Sequence, residues 1–426
     1  MGLFESRLEG CCLMDILIKN AVIGRDNRPV DIAIANGVFL AIEPGVTGDA
    51  KRVIDAARRV VVPAFIEPHM HLEKAFLHRR LPTQKGTLAE ALRLTAILKA
   101  TQDRDDVLAR GRLVLDMAIR AGTVAMRVHP DVDPIQGLIG VETALALKEA
   151  YSALIDLQIV SFPQEGLLCA PGAQELVEEG LRLGAGIVGC VPYVEKSLED
   201  SRTAIDIAFS LAEKYGLPAD FHADFADTVS DQRFMNAAYI AEKTIAAGMQ
   251  GHVTLDHMTS LGALTVEAAK PVIDKLAAAE INVISLPTTD VYLSARRDAG
   301  GHRCVLAPIR ALRAAGVNVA YSSNNIRNAF TPFGNADPLV VGNLLAHVAQ
   351  FGTLEEQAYV IEMATHNAAR VMERTRYGLA VGNVADMLLL DVQDYADVLL
   401  DIPARLCVIK AGRISMETSM TAPLNR

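Results

Sequence analysis

Through the middle of the chain, short apolar runs alternate with amphipathic stretches. The β-like runs lie near residues 60–66, 123–129, 156–162, 186–192, 218–222, 251–256, 281–286 and 317–321. Helix-like segments lie between most of them. From Leu198 to Lys214, for example, Ala204, Ile205, Ala208, Phe209, Leu211 and Ala212 fall at the spacing of one helix face. Gly216 ends that helix, with Pro218 just beyond it. Strands alternating with helices predict a parallel sheet. Eight such units predict an α/β chain closed as a (β/α)8 TIM barrel rather than an open doubly wound sheet. A dinucleotide-binding arrangement would need a GxGxxG turn after an early strand, and the chain has none.

The two ends follow a different pattern. Asp15 to Ile23, Asp31 to Ala35 and Val38 to Ile42 read as strands, the last two joined by Asn36-Gly37, a strong hairpin signal. Strand-like runs return at Met387 to Asp391, Arg405 to Lys410 and Arg413 to Ser415, the last after Gly412. The termini are therefore expected to fold together as a small β-sandwich domain of residues 14–62 and 375–426, with the barrel over 63–374. Residues 1–13 read as a disordered extension. Their start, Met1-Gly2-Leu3-Phe4-Glu5-Ser6 followed by Cys11 and Cys12, formally fits a lipidation pattern, but one that matches often by chance.

Length agrees with this division, since 426 residues exceed the roughly 250 of a bare barrel. A net charge of −10 argues against nucleic acid or an anionic membrane as partner, because both favour basic surfaces. No apolar run approaches the roughly 20 residues of a membrane helix. The six cysteines include no CxxC pair, which excludes a zinc ribbon and fits reduced, cytoplasmic thiols. A soluble, cytoplasmic homo-oligomer acting on a small molecule is the expectation.

In such barrels the chemistry sits at the C-terminal ends of the strands. The residues just past each apolar run can therefore be read as one site: His69 and His71, then Arg127, His129 and Asp131, then Gln164 and Glu165, Tyr193, His222 and Asp224, Asp256 and His257, Thr288 and Asp290, and Asn324 and Asn325. Five of the ten histidines fall in this set. In extended backbone, residues two apart point the same way, so His69 and His71 can reach one ion. A third nitrogen from His222 would leave a position open for water, as a catalytic metal site requires. The ion would lower the pKa of that water toward neutrality. His129 could line the site or hydrogen-bond beneath it, and Glu73 and Lys74 read as a structural pair. Cys169 and Cys190 read as buried small hydrophobes rather than nucleophiles.

Several segments resemble the cytosine deaminase group of amidohydrolases, including the N-isopropylammelide amidohydrolases. Ala64-Phe65-Ile66-Glu67-Pro68-His69-Met70-His71-Leu72-Glu73-Lys74 resembles the first-strand HxHxDK signature. Ser161-Phe162-Pro163-Gln164-Glu165-Gly166 resembles FPQEG, and Val253-Thr254-Leu255-Asp256-His257 resembles VTASH. Ser323 to Asn328 with Pro332-Phe333-Gly334-Asn335 resembles SDNIRD…PFGN. The resemblance runs from about Met14 to Ser415. It implies that His69, His71 and His222 bind one divalent metal, zinc foremost, with iron or manganese as alternatives. It further implies that His257 stabilises or shuttles charge, that Gln164 hydrogen-bonds the heterocycle and that Asn325 helps hold it. No lysine directly ends the fourth strand, where two-metal relatives carry one; Lys196 lies beyond it.

Two departures stand beside these matches. Asn324 occupies the place of an aspartate that ligates the metal and accepts a proton; an amide offers an oxygen but is not a base near neutral pH. Phe225 stands where cytosine deaminases have a glutamate. Hydrolytic deamination of a small nitrogen heterocycle, such as cytosine or an aminotriazine, remains the leading expectation, with His257, Asp224 or Asp227 moving the proton. The alternatives are a ring-opening cyclic amidase and a catalytically impaired heterocycle-binding relative.

Overall fold

The computed structural model describes residues 13–226, 229–294 and 305–419. The proposed extension at the N-terminus, its lipidation pattern and Asp227 lie outside the described residues. The chain divides into two compact units, one made of the segments up to Ala64 and from Thr375 onward, the other of Phe65–Arg374.

The terminal unit holds two four-stranded sheets. Strands β1 (Met14–Ile23), β2 (Arg28–Ala35), β3 (Val38–Glu43) and β4 (Ala50–Asp55) form one, in the order β3-β2-β1-β4. Strand β5 (Val61–Pro63) belongs to the other. Ile16, Ile18, Ile32, Ile34 and Phe39 pack with Met387, Leu389, Cys407 and Ile409 in one core, so burial of these apolar faces holds the sandwich together. The β2–β3 turn has both Asn36 (φ 52°) and Gly37 (φ 80°) in the left-handed region, which asparagine and glycine adopt most readily. A Cβ on Gly37 would also stand 3.1 Å from the Ala411 carbonyl oxygen. Strand β4 escaped the sequence reading because it is an exposed edge: Lys51, Arg52 and Val53 face solvent, so no apolar alternation marks it.

The second unit is the barrel. Its strands are β6 (Phe65–Met70), β7 (Thr123–Val128), β8 (Asp156–Ser161), β9 (Ile187–Cys190), β10 (Ala219–Ala223), β11 (Val253–His257), β12 (Asn282–Ser285) and β13 (Asn318–Tyr321). They neighbour one another in chain order and every pair is parallel. Strands β6, β7, β9, β10, β11, β12 and β13 are buried throughout, which is why they read as apolar runs without alternation. The helix expected after β9 spans Leu198–Tyr215. Ser197 caps its start, and Gly216 ends it at φ 64°, as expected from the sequence.

One expectation is corrected here. The apolar run 60–66 is two strands: Val61–Pro63 pairs with Met387–Leu389 in the terminal unit, and the barrel strand begins at Phe65. A continuous apolar run carries no signal of where one strand yields to the next. The terminal unit is completed by β14 (Met387–Leu390), β15 (Arg405–Lys410) and β16 (Arg413–Glu417), in the order β16-β15-β14-β5. No described helix is long and apolar enough to cross a membrane.

Candidate active site

The barrel closes between β6 and the segment after β13, and the closure builds the site. Met70 and Asn324 form a single parallel bridge. Asn324 N–H donates to the His69 carbonyl (3.2 Å), and His71 N–H donates to the Asn324 carbonyl (3.0 Å). Below them the buried Glu67 carboxylate accepts from Ser323 N–H (2.6 Å) and Ser323 Oγ (2.8 Å), and is also bonded by Ser322 Oγ. Asn324 takes φ 62°, a conformation asparagine tolerates better than most residues. His69 is thus the fifth residue of β6 rather than a residue beyond its end.

Three imidazoles converge at this mouth. His71 Nε2 lies 3.3 Å from His69 Nε2 and 3.3 Å from His222 Nε2. A tetrahedral ion with nitrogen ligands at about 2.0–2.1 Å holds its ligands roughly 3.3–3.4 Å apart. Each opposite ring nitrogen faces an oxygen. His71 Nδ1 is 2.9 Å from the His129 carbonyl. His69 Nδ1 and His222 Nδ1 lie 3.1 and 3.0 Å from the two oxygens of Asp256, close but out of line for strict hydrogen bonds. With Nδ1 tied to an acceptor, the Nε2 lone pairs are free for an ion. Burial, with neighbouring charges, holds the pKa of His71 and of His222 well below the ordinary histidine value, so both are neutral, as ligands must be. Asn324 Oδ1 is buried in the same cavity and has no hydrogen-bond partner. These donors fit a divalent metal.

Two other groups of potential ligands are close by. His69, His129, Asp220, His222 and Asp256 form the layer beneath the three Nε2 atoms. There Asp220 is engaged by Arg127 (2.8 Å) and His129 (3.0 Å), so this layer supports the imidazoles from below. His71, Glu73 and Asp131 form the other group. Lys74 and Lys99 each stand 2.8 Å from Asp131, so cations of the chain itself already fill it.

The cavity has about 260 Å³ of atom-free space, walled by His71, Lys74, Gln164, Tyr193, His222, Phe225, His257, Thr289, Asn324, Asn325 and Phe330. Lys74 Nζ donates to Gln164 Oε1 (2.7 Å), which leaves the Gln164 amide nitrogen to donate into the cavity. Asn325 is held by Thr289 (3.3 Å) and Asn328 (2.6 Å). His257 Nδ1 lies 2.6 Å from Asp290 Oδ1, and its ring stacks on Phe225 at 4.0 Å between centroids. His257 sits at φ 68°, in the left-handed region, where strain accompanies function more often than it does elsewhere.

Three sequence expectations change. His129 does not line the cavity: its ring is fully buried, stacked on His69 at 3.9 Å and bonded to Asp220. Asp224 is turned away from it, because its two oxygens accept from Asn236 N–H and Ala237 N–H at the start of helix Ala237–Ala246. Thr289, not Thr288, faces the cavity, while Thr288 Oγ1 donates to the Ser323 carbonyl. Lys74, read as half of a structural pair, lines the cavity and orients Gln164. The sequence marks Asp256 and Asp290 as strand-end residues but gives no sign of their roles or of those of Asp220 and Phe330, because a carboxylate positioned for a histidine leaves no local sequence signal.

Glu73 carries a prediction for stability. Neither of its oxygens has a hydrogen-bond partner, and it borders an apolar cavity with Leu72, Val107, Val128 and Leu147. Burial, reinforced by Asp131, pushes its pKa from 4.5 up to about 8. The unfolded chain therefore loses this proton at lower pH than the folded one. The stability from the protonated folded form is complete below pH 4.5 and drains away as pH rises toward 8. Glu73→Gln is expected to raise Tm at pH 8 by a few degrees, at roughly 1 °C per kcal/mol for a chain this long, with little change at pH 4.5. Calorimetry at both pH values checks this; an equal shift at the two would contradict it.

The comparisons with known proteins agree with this geometry. The amidohydrolase family matches residues 52–416, and the chain belongs to that family. It is 29% identical over 417 residues to N-isopropylammelide isopropyl amidohydrolase of Pseudomonas sp. (strain ADP), covering 94% of this chain and 96% of that protein. It is 27% identical to pterin deaminase of Rhizobium rhizogenes, covering 90% and 87%. Among solved structures it matches 5-methylcytosine deaminase from Klebsiella pneumoniae, liganded with 5-fluorocytosine, with a TM-score of 0.90, 28% identity and coverage of 96% and 99%.

Proposed function

We propose that this amidohydrolase is a hydrolytic deaminase of small nitrogen heterocycles. The observation that carries the reading is the convergence of three imidazoles, with His71 Nε2 3.3 Å from both His69 Nε2 and His222 Nε2, beside a cavity that also presents Gln164 and the Asp290-bonded His257. Similarity to proteins named as acting on ammelide, pterin and 5-methylcytosine rings supports it.

One zinc ion, held by the three histidines with the Asn324 amide oxygen beside them, would supply Lewis acidity and an acidified water. Three imidazoles without a thiolate suit zinc or iron. The remaining roles fall to this chain's own side chains. Gln164, fixed by Lys74, donates its amide N–H to a carbonyl or ring nitrogen and so orients the heterocycle. Asp290 holds the His257 Nδ1 proton, which leaves Nε2 to take a proton or to hydrogen-bond the charge that develops on the attacked carbon's substituents. Asp224 is committed to a helix start and Asn324 is not a base, so among the described candidates His257 is the group that moves the proton. Phe225 and Phe330 exclude water from the ring's surroundings.

The test is a panel of aminopyrimidines, aminotriazines and pterins offered to zinc-loaded protein, with released ammonia or amine measured. Ring-opened products without amine release would instead establish a cyclic amidase. Tight binding with no turnover of any compound would establish a heterocycle-binding relative, the reading that Asn324 favours. Gln164→Leu is expected to lower kcat/KM about 10–100-fold, chiefly through KM, since one orienting hydrogen bond and its buried partner are lost. Steady-state kinetics on the best substrate of the panel would check this.

A further inference from the structure

The cavity wall across from Gln164 has a hydrogen-bond polarity that the backbone sets. After β13, Asn328 Oδ1 accepts from Phe330 N–H (2.9 Å) and Thr331 N–H (3.3 Å). A backbone N–H can only donate, so the oxygen of this amide is identified and its nitrogen is the group turned to Asn325. Asn328 Nδ2 therefore donates to Asn325 Oδ1 (2.6 Å). That leaves the Asn325 nitrogen to donate to Thr289 Oγ1 (3.3 Å). Thr289 lies on helix Pro287–Leu293, directly after β12, and all three residues are buried. Among the described residues Thr289 Oγ1 has this one partner, which takes a lone pair and leaves the hydroxyl proton without an acceptor. Thr289 and Asn325 both line the cavity, so the cavity is where that proton can be satisfied.

Strands β8 and β12 stand four apart in the ring of eight, which puts Gln164 and Thr289 on opposite sides of the mouth. Gln164 donates an amide N–H from its side, because Lys74 occupies its oxygen. A ring lying between the two thus meets a donor on each flank. Resting on the hydrolytic reading, we propose that Thr289 is a specificity-determining residue that donates its hydroxyl proton to the substrate. The preferred heterocycle then carries an acceptor, a carbonyl oxygen or an unprotonated ring nitrogen, on the edge away from Gln164. A C–H or N–H at that place leaves the Thr289 proton buried and unpaired, a loss of about 10- to 100-fold in affinity. Asn328 is a positioning residue that acts through Asn325. The segment SDNIRD, which residues 323–328 resemble, ends in aspartate, and Asn328 stands in place of that acid. A carboxylate at 328 would accept from Asn325 and turn its amide over, so that Thr289 would donate to Asn325 Oδ1 instead of into the cavity. The amide at 328 therefore decides the sense of the whole wall.

The experiment offers cytosine, 3-deazacytosine, 5-azacytosine and 2-thiocytosine to the full zinc-loaded chain, with binding followed by calorimetry and turnover by released ammonia. Relative to cytosine, the other three respectively lose a ring-nitrogen acceptor, gain one and weaken the oxygen acceptor. At least one exchange is expected to change affinity by about tenfold or more, in favour of the acceptor. Thr289→Val should erase that difference and Thr289→Ser should keep it. Asn328→Asp, acting from the far end of the relay, should erase it as well, and Gln164→Leu should leave it intact. A difference that survives both Thr289→Val and Asn328→Asp, or an equal loss on all four compounds, overturns the assignment. If the differences behave as expected but no compound releases ammonia, the deaminase reading falls and the donor assignment stands. If ammonia is released and Thr289→Val lowers kcat/KM equally for all four, the assignment falls and the deaminase reading stands. Failure of all four compounds to bind overturns both.

Discussion

Asn324→Asp is expected to raise kcat on an aminated heterocycle by about 10²–10⁴-fold, the range that a positioned general base contributes. The substitution is nearly isosteric. Backbone bonds to His69 and His71 lock the residue in place, and its φ of 62° suits aspartate as well as asparagine. The Asn324 side-chain oxygen is buried and has no partner, so a carboxylate there would face the three imidazoles without displacing any contact. It would add both a negative ligand and a proton acceptor. A buried carboxylate without a cation is costly, so the metal-free variant should melt below the parent, and added zinc should lift it above the zinc-loaded parent. Paired kinetics and melting curves check both halves. An unchanged rate would mean that His257 already carries the whole proton transfer.

The second large effect concerns the ligands themselves. His222→Ala removes one of three converging nitrogens and is expected to abolish stoichiometric metal retention and turnover together. Asp256→Asn keeps all three Nε2 atoms but weakens the contacts at His69 Nδ1 and His222 Nδ1. Loss of such a supporting carboxylate typically costs about 10–100-fold in metal affinity or activity. Elemental analysis of dialysed protein, alongside competition with a coloured chelator, should rank the affinities as parent, then Asp256→Asn, then His222→Ala. Equal retention in all three would place the ion elsewhere, in the lower layer around Asp220.

The site was partly legible because barrel strands end where chemistry begins. Apolar runs followed by polar residues marked His69, His71, Gln164, His222, His257, Asn324 and Asn325, all of which the structure brings to one mouth; ten of the cavity's eleven wall residues lie no more than eight positions past the end of one of seven runs, and the other is Phe330. The same rule also picked His129 and Asp224, which lie at strand ends but turn elsewhere. A position in the chain says that a side chain is near the mouth. It does not say whether the side chain faces inward, as Gln164 does, or caps a neighbouring helix, as Asp224 does.

By itself the sequence determined the repeating βα order, the sandwich made by the two ends, the HxH pair and the amide at 324, since each follows from periodicity, turn chemistry or residue identity within a short window. The tertiary structure alone decided which partners those residues have. Asp256 reaches two histidines, 187 and 34 positions earlier in the chain; Lys74 orients Gln164 across 90 positions; and Asn324 closes onto His69 and His71. Such contacts arise from closing eight strands into a ring. Ring closure fixes distances between residues remote in sequence, and no local pattern encodes them.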